Sequence, residues 1–304
     1  MERQSDRFDF PDGVIRVTAG VGGEALLITG SEKTALLDCG MAYCGETLIE
    51  NIGKALAGRD LDYVLVSHTH YDHLGALPFV RESWPGAVTL GAEYARYVLG
   101  RQGAIDTINA FGENARKLYG DNKGKRPPDG GFVIDKTIGD GDVITLGREE
   151  ITVIETKGHT DCSLTFALSP QNIIFLSEST GVLEGSGKVH VTILKSYGET
   201  MRSVEKCRKY SDWLMVLPHY GLLPKDYNEE YWELFLSTIL EYREFLFGLF
   251  REGVSEEEIL EKYAELRRGE LSKKEQPDAA FIMNSRNVIK AFKREFEAEN
   301  DRGL

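Results

Sequence analysis

Ser67-His68-Thr69-His70-Tyr71-Asp72-His73-Leu74-Gly75 places three imidazoles and a carboxylate within six positions, directly after the apolar run of residues 61–66. Imidazole nitrogen and carboxylate oxygen both suit divalent first-row metals, and a loop leaving a strand can turn alternate side chains toward one point. The spacing lets His68 and His70 hold one ion while Asp72 and His73 hold a neighbour. The chain has 6 histidines, so this cluster together with His159 uses most of them.

The same arrangement recurs along the chain. Residues 14–18, 24–29 and 33–38 read as short strands broken by glycine-containing turns, and residues 47–57 have helical apolar spacing before the run at 61–66. In the second half, strands at 143–146 and 151–156 lead into Gly158-His159-Thr160, and strands at 164–168 and 173–176 lead into Ser177-Glu178. After a helical stretch at 199–210, the apolar run 213–217 ends in Pro218-His219. Each polar cluster follows a strand, and the rim formed by strand ends is the natural place for a cleft in an α/β sheet.

Residues 93–131 separate the halves as an insertion or lid. They contain a helical portion at 104–119 and, toward their end, the basic residues Lys117, Lys123, Lys125 and Arg126. Beyond residue 224 the text turns helical: 231–250 carries a broad apolar face, Ser255 with Glu258 forms a capping box before a helix starting near Glu256, and 279–299 aligns Phe281, Val288, Ile289, Phe292 and Phe296.

The bulk properties narrow the partners. A chain of 304 residues with 36 basic and 49 acidic side chains has a net charge of -13, which disfavours a nonspecific grip on nucleic acid or an anionic membrane. No apolar run approaches a membrane span, and residues 1–13 lack the apolar stretch of an export signal, so a cytoplasmic location is expected. Cys39, Cys44, Cys162 and Cys207 show no C-x-x-C spacing and read as small buried hydrophobes.

The H-x-H-x-D-H signature resembles that of the metallo-β-lactamase superfamily, especially its glyoxalase II, lactonase and thioesterase branches. Asp38-Cys39-Gly40, Gly158-His159-Thr160 and Leu217-Pro218-His219-Tyr220-Gly221 are similar to further family elements, in the right order over about residues 14–224. The resemblance implies an α/β protein with an αββα sandwich: a catalytic domain at 1–224 and a C-terminal helical extension at 225–304 that covers the site or forms a homodimer contact. It also implies two divalent metal ions (zinc, iron or manganese), the first on His68, His70 and His159 and the second on Asp72, His73 and His219. The bridging position, usually aspartate, falls on Glu178, whose extra methylene shifts the bridge, confines it to one ion, or leaves a mononuclear site.

The activity so implied is a hydrolase in which Asp72 orients a hydroxide generated at the ions, acting on a small-molecule thioester or related acyl substrate as in the quinolone-signal response thioesterases. A phosphodiesterase meeting phosphate with the basic insertion, a lactonase, a mononuclear-iron persulfide dioxygenase and a regulatory protein with a vestigial metal site are the alternatives. Asp38 is a candidate to orient a ligand imidazole. Tyr71, His190 and Tyr220 are candidates to meet substrate or to pack beside the ligands.

Overall fold

A computed structural model describes residues 7–120, 123–184, 187–268 and 276–301. Two six-stranded sheets dominate it. The first runs in the order β1 (Val14–Arg16), β2 (Leu26–Thr29), β3 (Thr34–Leu37), β4 (Tyr63–Leu65), β5 (Val88–Gly91) and β6 (Lys136–Thr137), antiparallel at β1–β3 and parallel from β3 to β6. All four residues of β3 are buried, as expected of a central strand covered on both faces.

The second sheet has the order β14 (Gly221–Leu223), β13 (Leu214–Leu217), β10 (Ile173–Phe175), β9 (Leu164–Ser169), β8 (Glu150–Glu155) and β7 (Val143–Thr145), with a separate hairpin of β11 (Val182–Leu183) and β12 (Val189–His190). Its strands alternate between two cores, because successive side chains leave opposite faces. Ile151, Val153, Phe166, Phe175 and Val216 join the core shared with the first sheet. Ile154, Ala167, Ile174, Met215 and Leu217 join the core on the other face.

Helices close the outer layers. Leu48 and Ile52 of α1 (Gly45–Leu56) and Leu77 and Val80 of α3 (Leu77–Ser83), which follows the short turn α2 (Tyr71–Leu74), pack into the first core. On the other side, α6 (Tyr197–Arg208) contributes Val204, and α7 (Asn228–Arg251) contributes Trp232 and Phe235. Both aromatics are almost wholly buried, worth about 2–3 kcal/mol each in apolar burial. The αββα sandwich follows.

The remaining helices gather around the strand ends: α4 (Glu93–Leu99) and α5 (Gln102–Tyr119) from the insertion, then α8 (Glu256–Arg267) and α9 (Asp278–Asp301). Ser255 caps α8, its Oγ accepting from Glu258 N–H at 3.3 Å. The Glu258 carboxylate lies 3.5 Å from Lys262 Nζ, so only the serine half of the capping box is seen. Asp121 and Asn122 of the basic stretch lie outside the described residues. Among the described residues no helix is long and apolar enough to cross a membrane.

Candidate metal centre

Five strand ends converge. Asp38 follows β3, His68 follows β4, His159 follows β8, Glu178 follows β10 and His219 follows β13. The structure brings His68, His70, His159 and Glu178 into one group and Asp72, His73, His219 and Glu178 into another, the candidate ligand atoms of each within 4.8 Å of one another. Glu178 belongs to both. Its Oε1 lies 2.8 Å from His73 Nε2 and 3.1 Å from His219 Nε2, while Oε2 lies 3.4 Å from His159 Nε2. Oε1 also lies 3.6 Å from His68 Nε2, so the one carboxylate faces both groups.

The supporting hydrogen bonds assign the tautomers. Ser67 donates its N–H (2.8 Å) and its O–H (2.6 Å) to Asp38, leaving Ser67 Oγ to accept from His68 Nδ1 at 3.0 Å. His73 Nδ1 donates to Asp38 Oδ2 and His159 Nδ1 to the Thr192 carbonyl, each at 2.8 Å. In all three imidazoles Nδ1 is held from outside and Nε2 faces the cluster, the arrangement that orients histidine for a metal.

The donor set fits a cation. His68 Nε2 is buried with no hydrogen-bond partner, and an orphaned buried nitrogen is costly. His159 Nε2 faces His70 Nδ1 at 3.0 Å, and His73 Nε2 faces His219 Nε2 at 3.2 Å. Burial, reinforced by neighbouring imidazoles, holds His68 well below the usual histidine range and His70 at about 4. Burial would raise Glu178, but His159, His219 and His73 outweigh it and hold the carboxyl well below its ordinary value. At the other group burial would lower His73 and His219, but Asp38 and Glu178 outweigh it at His73, as Glu178 does at His219, and both are raised, so an ion binding there would displace protons.

Two ligand-loop residues adopt left-handed backbone, Asp38 at φ 53° and His219 at φ 64°. Such conformations in non-glycine residues concentrate at functional sites. A metallo-beta-lactamase superfamily profile matches residues 19–219, taking in every one of these side chains. The chain belongs to the metallo-beta-lactamase superfamily.

A probable metallo-hydrolase of Burkholderia pseudomallei is 27% identical over 152 residues, 47% of this chain and 46% of that protein. This chain's matches to it and to a Methanocaldococcus jannaschii protein span about half the length of each. Among solved structures, a Thermus thermophilus metallo-beta-lactamase family protein superposes with a TM-score of 0.59 at 16% identity, covering 95% of both chains. An archaeal superfamily protein from Sulfolobus tokodaii gives 0.58 at 20% identity, covering 74% of this chain and 86% of that one. These likenesses establish the fold.

In this member of the superfamily the candidate ligand cluster opens on a cavity of about 440 Å³. The insertion supplies Val98, Ile108 and Phe111, the β11–β12 hairpin supplies Glu184 and His190, and α8 and α9 close it with Arg267 and Val288 among others. Tyr71 lines the cavity and stacks on Phe111 with ring centroids 5.4 Å apart. His190 also faces it, bonded to Glu184 rather than to the ligand cluster. Tyr220 is not on the cavity wall: it is buried in the second core with the Arg7 guanidinium over its ring.

Sequence reasoning missed Ser67, Ser179, Thr192 and Gly23. Ser179 Oγ accepts from His159 N–H at 3.1 Å and donates to the Thr156 carbonyl, tying the turn of Glu178 to the loop of His159. A Cβ on Gly23 would lie 2.5 Å from the His73 ring. The Gly22-Gly23 pair was a visible signal for that close approach; the hydroxyls carried none.

Proposed function

We propose that this chain is a dinuclear metal-dependent hydrolase of an acyl substrate, a thioester first. The observation that carries the reading is the pair of candidate ligand groups sharing Glu178 beside a largely apolar cavity. His68, His70 and His159 would hold one ion and Asp72, His73 and His219 the other, with Glu178 reaching both. Zinc, iron or manganese held there would bring the pKa of a coordinated water toward neutrality and polarise a carbonyl.

Asp72 is partly exposed to the cavity, its Oδ2 3.6 Å from His219 Nε2 and 4.0 Å from His73 Nε2. That position suits a carboxylate that accepts the proton of the attacking water and aims its oxygen. The Tyr71 hydroxyl, which has no hydrogen-bond partner within the described chain, would donate to the substrate carbonyl oxygen as charge develops. Asp38 and Thr192 hold His73 and His159 in place.

The cavity wall favours an acyl body over a phosphodiester. Lys125 is paired with Glu46 at 2.6 Å and Arg126 lies 4.0 Å from Glu113, and no lysine or arginine of the insertion lines the cavity. The test is hydrolysis of a panel of thioesters, lactones and phosphodiesters by metal-loaded protein. Thioester turnover abolished in Asp72→Ala supports the reading. Turnover of phosphodiesters alone, or activity that persists in Asp72→Ala, refutes it.

A further inference from the structure

Among the described residues lining the cavity there is one cation other than histidine, Arg267, at the last turn of α8. Elsewhere the wall is mainly apolar, with Val98, Ile108, Phe111, Leu194 and Val288. An arginine built into such a wall is expensive unless something uses its charge.

The guanidinium is fixed from behind. Its Nη2 donates to His190 Nδ1 at 2.5 Å, and His190 Nε2 donates in turn to the buried carboxylate of Glu184. Its carbon sits 4.4 Å from the ring centroid of Tyr242 and 6.0 Å from that of Tyr263, within cation–π range. Within the described chain it makes no other hydrogen bond, although a guanidinium has five N–H donors in a planar fork. Burial pushes Arg267 down to about 9, still charged near neutral pH.

Glu184 also lines the cavity, but the imidazole stands between it and Arg267. Burial and the Arg267 charge lower the His190 pKa against the pull of Glu184, in keeping with an Nδ1 that accepts from Arg267. The unused edge of the fork is thus a held, poorly solvated donor surface, the geometry that recognises a carboxylate by two parallel hydrogen bonds.

We infer that the cavity takes an apolar acyl group bearing a second, remote carboxylate, and that Arg267 is the residue that selects it, positioned by His190 and Glu184. The inference rests on the acyl-hydrolase reading for the bond that is cleaved, while the anchoring itself can be measured by binding alone. The substrate class is the monothioester of an aliphatic or aryl dicarboxylic acid. One carboxyl is engaged as the thioester at the metal cluster and the other pairs with Arg267.

The experiment is calorimetric titration of metal-loaded protein with aliphatic dicarboxylates from succinate to suberate, each against the monocarboxylate of equal chain length. One member of the series is expected to bind at least tenfold more tightly than its monocarboxylate. Arg267→Met should abolish that preference and leave monocarboxylate affinity within twofold, and Arg267→Lys should keep part of it. Equal affinity for both acids at every length overturns the inference. A preference unchanged in Arg267→Met also overturns it, as does loss of both ligands in both variants, which would make Arg267 a structural wall residue. The outcome is independent of thioester turnover, so an inactive protein with Arg267-dependent binding refutes the hydrolase reading alone.

Discussion

Removing Asp38 should damage the metal centre without touching a ligand. Its carboxylate accepts from Ser67 N–H at 2.8 Å, Ser67 O–H at 2.6 Å and His73 Nδ1 at 2.8 Å, all buried. In Asp38→Ala the hydroxyl can turn elsewhere, but the amide and the imidazole N–H are stranded at about 1–3 kcal/mol each. The φ of 53° adds about 1–2 kcal/mol for a residue with a Cβ and no local polar compensation. The sum, roughly 3–8 kcal/mol, is comparable with the whole stability of an ordinary domain, about 5–15 kcal/mol. Asp38→Ala should therefore fold poorly.

Asp38→Asn separates the two effects. Asparagine tolerates the left-handed backbone, but one side of its amide presents N–H to a donor, so either Ser67 or His73 loses its partner. The variant should fold, and its affinity for the ion held by His73 should fall by about 10–100-fold, read by competition with a chromophoric chelator. Denaturant midpoints and metal affinities equal to the parent's in both variants would refute the role assigned to Asp38.

Gly23→Ala should displace His73, because the new Cβ meets its ring; exhaustive dialysis should then leave ions only at the His68, His70 and His159 group, and retention of both would contradict this. Tyr231→Phe removes a 2.7 Å hydrogen bond to the Thr180 carbonyl in the turn that carries Glu178, and urea unfolding should show a loss of about 1–2 kcal/mol. All four cysteines are buried and unpaired, with burial raising their thiols, Cys44 to about 11 and Cys207 to about 12. A thiol reagent at pH 8 should label almost none in folded protein and all four after denaturation; rapid labelling of Cys162 would show its loop to be open.

The strand-end histidines were legible because their signal is local: an apolar run, then ligands at fixed spacing. The two helices with the widest apolar faces, α7 and α9, were legible for the same reason, to within a few residues at each end. Elements whose signal is short or divided were not. β6 has two residues, α3 opens on Leu77-Pro78, and the β11–β12 hairpin pairs two residues with two, so none offers enough length for periodicity to register. Glu178 stood out as a departure from the usual aspartate, yet its reach to both ligand groups depends on a three-residue turn that only tertiary packing positions. Arg267 and His190 are 77 positions apart and meet through the docking of α8, a relation no sequence window contains.

Metal analysis of protein purified without oxygen addresses the dinuclear centre directly. The shared carboxylate and the two converging groups predict two divalent ions per chain, with Glu178→Gln weakening both together. One ion or fewer per chain in the parent protein, or loss of a single ion in Glu178→Gln with the other bound as tightly as before, would contradict the bridging role on which the account depends.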